Sequence, residues 1–372
     1  MRFETDSNRI FGLDIFRSTA IILVVLGHGG FILKGTRLEG FPYFKMIDGV
    51  DVFFVLSGFL IGGILLKELN KQERFEIPDL IRFWKRRWFR TLPNYYLILF
   101  INYLVVKHSI IKENIEQFNF HFLTFTHNFI SPSQGFFWES WSLSIEEWFY
   151  ILTPLLIFWL CKILPVKTSF LVVTLMMIFF SLFYRISIYD PNIDSFWWDV
   201  TFRKIVLCRL DSIGYGLFFA WLYFYYSKLW RIIKVPAFIT GIALIVFLLN
   251  FHQSPNTIYK QTIYFSLVPF AVMLLLPMTE SYKKAKGFIP MAIQHISKIS
   301  YSMYLINLAL VAEVIRDNFP PAGGIDGLIK YLLYWTIVII VSTLLFKYFE
   351  KPIMNLRDKK MNILFLTKNK RH

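Results

Sequence analysis

The sequence has little charge for its length. Asp, Glu, Lys and Arg make up 17% of its 372 residues, against roughly 25% in ordinary globular chains. That leaves too little polar surface to cover one water-soluble core. Cysteine is scarce as well. Cys161 and Cys208 are too few for a disulfide framework and stand in no metal-type spacing. The seven histidines form no zinc signature, so no metal site is expected. No internal repeat, low-complexity tract or polar segment of domain size is visible.

Apolar residues dominate instead. Hydrophobic residues are 56% of the chain, aromatics 19%, and the mean hydropathy is +0.50. Such a composition excludes a disordered chain and predicts an all-α, polytopic transmembrane bundle in a cell membrane. Apolar runs fall near 11–31, 49–66, 92–106, 145–164, 169–185, 205–226, 235–251, 261–277, 298–315 and 328–348. They predict about ten spans of ~20 residues each. The first run holds Asp14 and Arg17 and no small-residue cleavage site follows it, so it reads as a span rather than a signal peptide. The connection 107–140 contains an aromatic stretch, Phe118 to Phe129, that suggests a re-entrant or interfacial helix.

The net charge of +15 raises the question of nucleic acid. Ten spans put both termini on one side. That side collects 28 of the 40 Lys and Arg residues and the other 11, with Arg209 inside a span. The asymmetry is a positive-inside signal, so both termini are expected to be cytoplasmic and no nucleic-acid partner is implied.

Several polar residues lie where hydrocarbon makes them costly. Arg17 and His28 are eleven residues apart, close to three helical turns, which puts them on one face ~16 Å apart. They read either as a snorkelling arginine and a core histidine, or as a site in which an imidazole moves protons. Asp51 opens the second run, as an interface charge or as a polar wall of a cavity. Gly58 and Gly62 within it form a small-xxx-small pair suited to close packing. The basic stretch RFWKRRWFRTLP (Arg82, Lys85, Arg86, Arg87, Arg90) reads as a loop, either ordinary inner decoration or a phosphate-binding rim. WESWSLSIEEWFYILTP places Glu146 and Glu147 at the mouth of the fourth span among Trp138, Trp141 and Trp148. Arg209 and Asp211 bracket one residue, so on a helix they diverge and each needs a partner elsewhere. Ser300, Tyr301, Ser302, Tyr304 and Asn307 form a polar stripe in the ninth run, as a cavity lining or as interhelical bonding.

Taken in order, Arg17-x10-His28, GVDVFFVLSGFLI, FWKRRWFRTLP, WSLSIEEWFYIL, RLD, SYSMYL and FEKP resemble acyltransferase family 3. These are integral-membrane O-acyltransferases of surface polysaccharides and related glycans. The likeness runs from about residue 11 to 352, so 1–352 is expected to be the acyltransferase-like domain and 353–372 a basic cytoplasmic tail. It implies a bundle of about ten helices that transfers an acyl group, usually acetyl from acetyl-CoA, to a sugar hydroxyl. It points to His28 as the catalytic histidine, Arg17 as its motif partner, Arg86, Arg87 and Arg90 as a basic motif, and Glu146 as the acid of the block containing Ser142 and Leu143. Relatives commonly carry a second histidine where this chain has Asn307, and Asn cannot carry a proton at neutral pH. Some relatives append an extracytoplasmic esterase-like domain. No segment here has that length, so the bundle is expected to act alone or with a separate partner.

The expected chemistry follows from these residues. Acyl-CoA is a co-substrate and no permanently bound cofactor is implied. Its phosphates would dock at Arg86, Arg87 and Arg90, and its thioester would reach His28, acting as base or as acyl carrier. Asp51, Trp138, Trp141, Arg209, Asp211 and Asn307 are candidates for binding a glycan or glycolipid acceptor drawn from the membrane. The competing function is a transporter that exports a glycan or lipid precursor.

Overall fold

The computed structural model describes residues 9–39, 47–71, 75–133 and 135–356. The expected basic tail lies outside the described residues from position 357 onward. Among the described residues the chain is all helix and connection, with no strand.

Eight helical segments are long and apolar enough to cross a membrane. They are built on α1 (Phe11–Gly29), α2 (Gly49–Leu69), α4 (Ser140–Leu160), α5 (Val166–Ser187), α7 (Ser227–Asn250), α8 (Tyr264–Met273), α9 (Phe288–Ile306) and α10 (Gly324–Leu345). Two expected spans miss that standard. The run 92–106 belongs to α3 (Ile77–Lys107), whose N-terminal half carries the basic stretch, and the run 205–226 forms α6 (Leu210–Tyr225), which has 16 residues.

The basic stretch 82–90 is helical, not a loop. Pro78 sits in the first turn, and Glu76 and Asp79 form a reciprocal capping box that starts α3 ahead of it. Among the described residues of 107–140 the helix expected at Phe118 to Phe129 is absent. Single 3₁₀ turns at Ile115–Gln117 and Phe120–Phe122 are capped by Asn114 and Asn119, each accepting the N–H two residues on at 2.9 Å. Those local bonds compete with helix formation, and Phe125, at φ 57, turns the chain back. The connection still buries Phe122, Phe125, Phe136 and Phe137 against the bundle end.

The helices meet where side chains are small. A Cβ on Gly58 would lie 2.1 Å from the Ile213 carbonyl oxygen, and one on Gly216 would lie 2.1 Å from that of Val55. α2 and α6 therefore pack backbone to backbone, as the Gly58/Gly62 pair predicts. α1 packs on α2 and α9. After Ile306 the α9 segment continues through a π-helical turn, Asn307–Glu313, and on to Asn318.

Candidate active site

Two cavities lie along the α1–α2 pair. The larger, about 730 Å³, is lined by His28, Asp48, Asp51, Trp138, Arg203 and Arg209, among others. The smaller, about 100 Å³, holds Arg17, Arg87, Arg90, Glu146, Tyr150 and Tyr301 among its lining. Neighbouring α2 residues divide them: Gly49 and Asp51 face the first, Val50 and Phe53 the second. The structure thus separates two residues that share a helix face, His28 into one cavity and Arg17 into the other.

His28 sits at the C-terminal end of α1. Its Nδ1 lies 2.6 Å from Asn307 Oδ1. The Asn307 amide is fixed from its other side, because Nδ2 donates to the Met303 and Tyr304 carbonyls at 2.9 and 2.8 Å. Oδ1 must then accept, so Nδ1 of His28 carries the proton and Nε2 keeps its lone pair. Asn307 is the first residue of the π turn, a distortion often found at functional sites. It occupies the position of the expected second histidine and serves as a fixed acceptor.

Ion pairs set the rest of the His28 cavity. Asp51 pairs with Arg209, which also donates to Ser212 Oγ and lies 4.7 Å from the Phe265 ring centroid. Asp48 caps α2 by accepting from Val50 N at 2.9 Å and pairs with Arg203. Burial pushes the Asp48 carboxyl up, but Arg203 and the Val50 N–H outweigh it and hold the group below the usual carboxylate range. Arg203 and Lys204 both reach Asp199, at 2.8 and 2.7 Å. Lys204 lies 4.7 Å from the ring centroid of Trp138. Arg203, Lys204 and Arg209 are thus each matched by a carboxylate, while Trp138, Phe196 and Trp198 give the wall aromatic surface.

The smaller cavity is unbalanced. Arg17 and Arg90 make no ion pair among the described residues. Glu146 accepts from Ser57 Oγ at 2.7 Å and from Tyr150 Oη at 2.9 Å. Glu147, the adjacent carboxylate, is buried and accepts from Thr91 Oγ1 at 2.6 Å. Glu147 is buried and Glu146 half-buried at the cavity wall. Arg87 also lines a third groove, with Lys67, Lys71, Arg82 and Arg86, where Arg86 lies 3.8 Å from Glu68.

Several sequence-derived candidates fall elsewhere. Asp211 lines neither cavity. It bonds Arg185 and Ser266 Oγ, each at 2.7 Å, inside a lock in which Arg185 and Asp211 are fully buried. Trp141 is also buried and stands behind Arg203, whose guanidinium lies 5.1 Å from its ring centroid. Glu146 joins Arg17 rather than His28. The sequence reading missed Asp48, Asp199, Arg203 and Lys204. For Asp48 a signal existed, because an Asp directly before an apolar helical run is an N-cap. Arg203 and Lys204 counted only as basic residues of a connection. Ser57, next to the glycine pair of α2, donates to Glu146 and escaped the sequence analysis.

The acyltransferase domain family matches residues 10–347, so the chain belongs to that family of acyltransferases and is a multi-pass membrane member of it. Among its relatives, O-acetyltransferase OatA of Staphylococcus aureus (strain NCTC 8325 / PS 47) is 27% identical over 92% of this chain and 57% of its own. A provisionally named O-acetyltransferase of Staphylococcus aureus (strain COL) is 26% identical over 94% of this chain and 58% of its own. YrhL of Bacillus subtilis (strain 168), provisionally named a peptidoglycan O-acetyltransferase, is 34% identical over 42% of this chain and 25% of its own. The chain spans less than three fifths of the length of these relatives. No solved structure matches it.

Proposed function

We propose that this chain is an O-acyltransferase that moves an acyl group, acetyl by preference, from acyl-CoA to a hydroxyl of a glycan. One observation carries the reading. An imidazole in a polar cavity has its Nδ1 proton held by a fixed amide, which leaves Nε2 free to take a proton. His28 acts as the base. The acceptor sits against Trp138 in the His28 cavity, whose matched charges favour an uncharged sugar ring over an anionic one. Acyl-CoA approaches from the other end, where Arg17, Arg87 and Arg90 attract its phosphates. Its extended thioester arm covers the ~16 Å of α1 between Arg17 and His28.

In this reading α3 and α6 also cross the bilayer, for ten spans in all. The basic asymmetry puts both termini and the Arg17 end in the cytoplasm. A transporter would need a polar passage but not a pinned imidazole. The test uses purified protein, acetyl-CoA and an N-acetylglucosamine oligosaccharide, with free thiol and sugar ester both measured. Thiol release that depends on the sugar and matches ester formation supports the proposal. Transport of the sugar with no ester formed would overturn it.

A further inference from the structure

The His28 cavity has a second titratable wall. Glu313 lines it and ends the π turn that Asn307 begins. Glu113 and Glu139 lie behind. Glu139 is 1% exposed and Glu313 3%. Arg316 reaches Glu313 Oε1 at 3.4 Å but is shared with Asp317 at 3.2 Å. Glu113 Oε2 accepts from Asn102 Nδ2 at 3.0 Å and Phe137 N at 2.8 Å. Glu139 Oε1 accepts from Ala309 N, within the π turn, at 3.2 Å.

The remaining oxygens, Glu113 Oε1, Glu139 Oε2 and Glu313 Oε2, meet no N–H or O–H donor among the described residues. The Glu113 and Glu313 carboxyl groups lie side by side. Two neighbouring buried carboxyl groups whose remaining oxygens meet no donor are best satisfied by one proton shared between them. Burial, and then the nearby Glu113, push the Glu139 carboxyl well above the usual range. On its far side Glu113 lines a pocket of about 550 Å³ at the loop end of the bundle, with Lys107, Lys112 and Glu116. The pair therefore reaches from the His28 cavity to a second opening.

We propose that Glu313 and Glu113 share a proton and form the route by which His28 discharges to solvent at the loop end, with Glu139 as the buried acid beside them. This rests on the acyl-transfer reading. In the transfer the acceptor O–H and thioester C–S bonds break and the O–acyl bond forms. The hydroxyl proton goes to His28 Nε2. The thiolate leaves toward the Arg17 end and takes its proton from water there. His28 then passes its proton to Glu313 while Glu113 releases one to the loop-end pocket, so each turnover returns both groups to their starting charge.

Two measurements on the full chain test this. Infrared difference spectra of wild type and Glu313→Gln at neutral pH should show the band of a protonated carboxyl lost in the variant. Absence of that band in wild type overturns the proposal whether or not acetyl-CoA is consumed. In the sugar-dependent thiol-release assay, Glu113→Gln should lower kcat about tenfold, leave KM for acetyl-CoA unchanged, and regain rate with added imidazole buffer. A Glu113→Gln enzyme with wild-type kcat and pH profile overturns it, as does a loss that buffer does not repair in normally inserted protein. If wild type releases no thiol, the acyl-transfer reading fails, and the infrared band still decides whether the proton pair exists.

Discussion

His28 keeps a usable lone pair because Asn307 occupies its other nitrogen, and Asn307 can do so because two backbone carbonyls hold its amide. A buried hydrogen bond to a group that becomes charged contributes roughly 1.5–3 kcal/mol, or about 10- to 100-fold in rate. Asn307→Ala should therefore lower kcat by about that factor while KM for acetyl-CoA changes little. Wild-type kcat in this variant would mean that the amide does not orient the ring. The sequence marks both residues but does not join them. They are 279 positions apart, and the π turn that presents Asn307 leaves no trace in an apolar run. The same holds for Asp51 with Arg209 and Asp211 with Arg185: the need for partners is legible from spacing, their identities are not. Removing Arg185 tests the second lock. Arg185→Met strands Asp211 in a fully buried site, which costs about 3–5 kcal/mol. Thermal unfolding in detergent should show a large drop in Tm, and an unchanged Tm would contradict the account of that network.

At the scale of elements, composition and run length disclose most of the bundle. Each apolar run lies on a helix, and the glycine pair of α2 foretells its close approach to α6. What the pattern hides is where helices begin and where turn chemistry prevails. The Glu76–Asp79 capping box carries α3 through a stretch that charge alone marks as a loop, and Asn114 and Asn119 break an aromatic stretch that hydropathy alone marks as a helix. Gly216→Val tests the α2–α6 contact. Its Cβ cannot fit beside the Val55 carbonyl, and overpacking of this kind costs about 1–3 kcal/mol. Lower Tm is expected, with reduced activity because Asp51 and Arg209 ride on these two helices. The loop-end connection has a pH signature. Burial pushes His127 down to about 3, while the unfolded chain titrates near ~6.5. The unfolded state therefore binds the proton first as pH falls. Stability is full above that value and declines below it toward pH ~3. His127→Asn should flatten this decline in a Tm-against-pH series, and an unaltered slope would assign it to other groups.

The whole molecule divides its chemistry between two ends. Arg17 and Arg90, which make no ion pair among the described residues, join Arg87 at one cavity, matched charges and aromatic walls stand at the other, and α1 runs between them with Arg17 and His28 on one face. Arg87→Ala combined with Arg90→Ala should raise KM for acetyl-CoA without abolishing insertion. An unchanged KM would leave those arginines to topology alone. The most direct test of the central claim compares wild type and His28→Gln in the same membranes, at matched insertion, for acetyl transfer from acetyl-CoA to a glycan hydroxyl. Loss of a general base predicts a fall of about 10²- to 10⁴-fold in kcat with acetyl-CoA binding retained. Turnover by His28→Gln at the wild-type rate would contradict it.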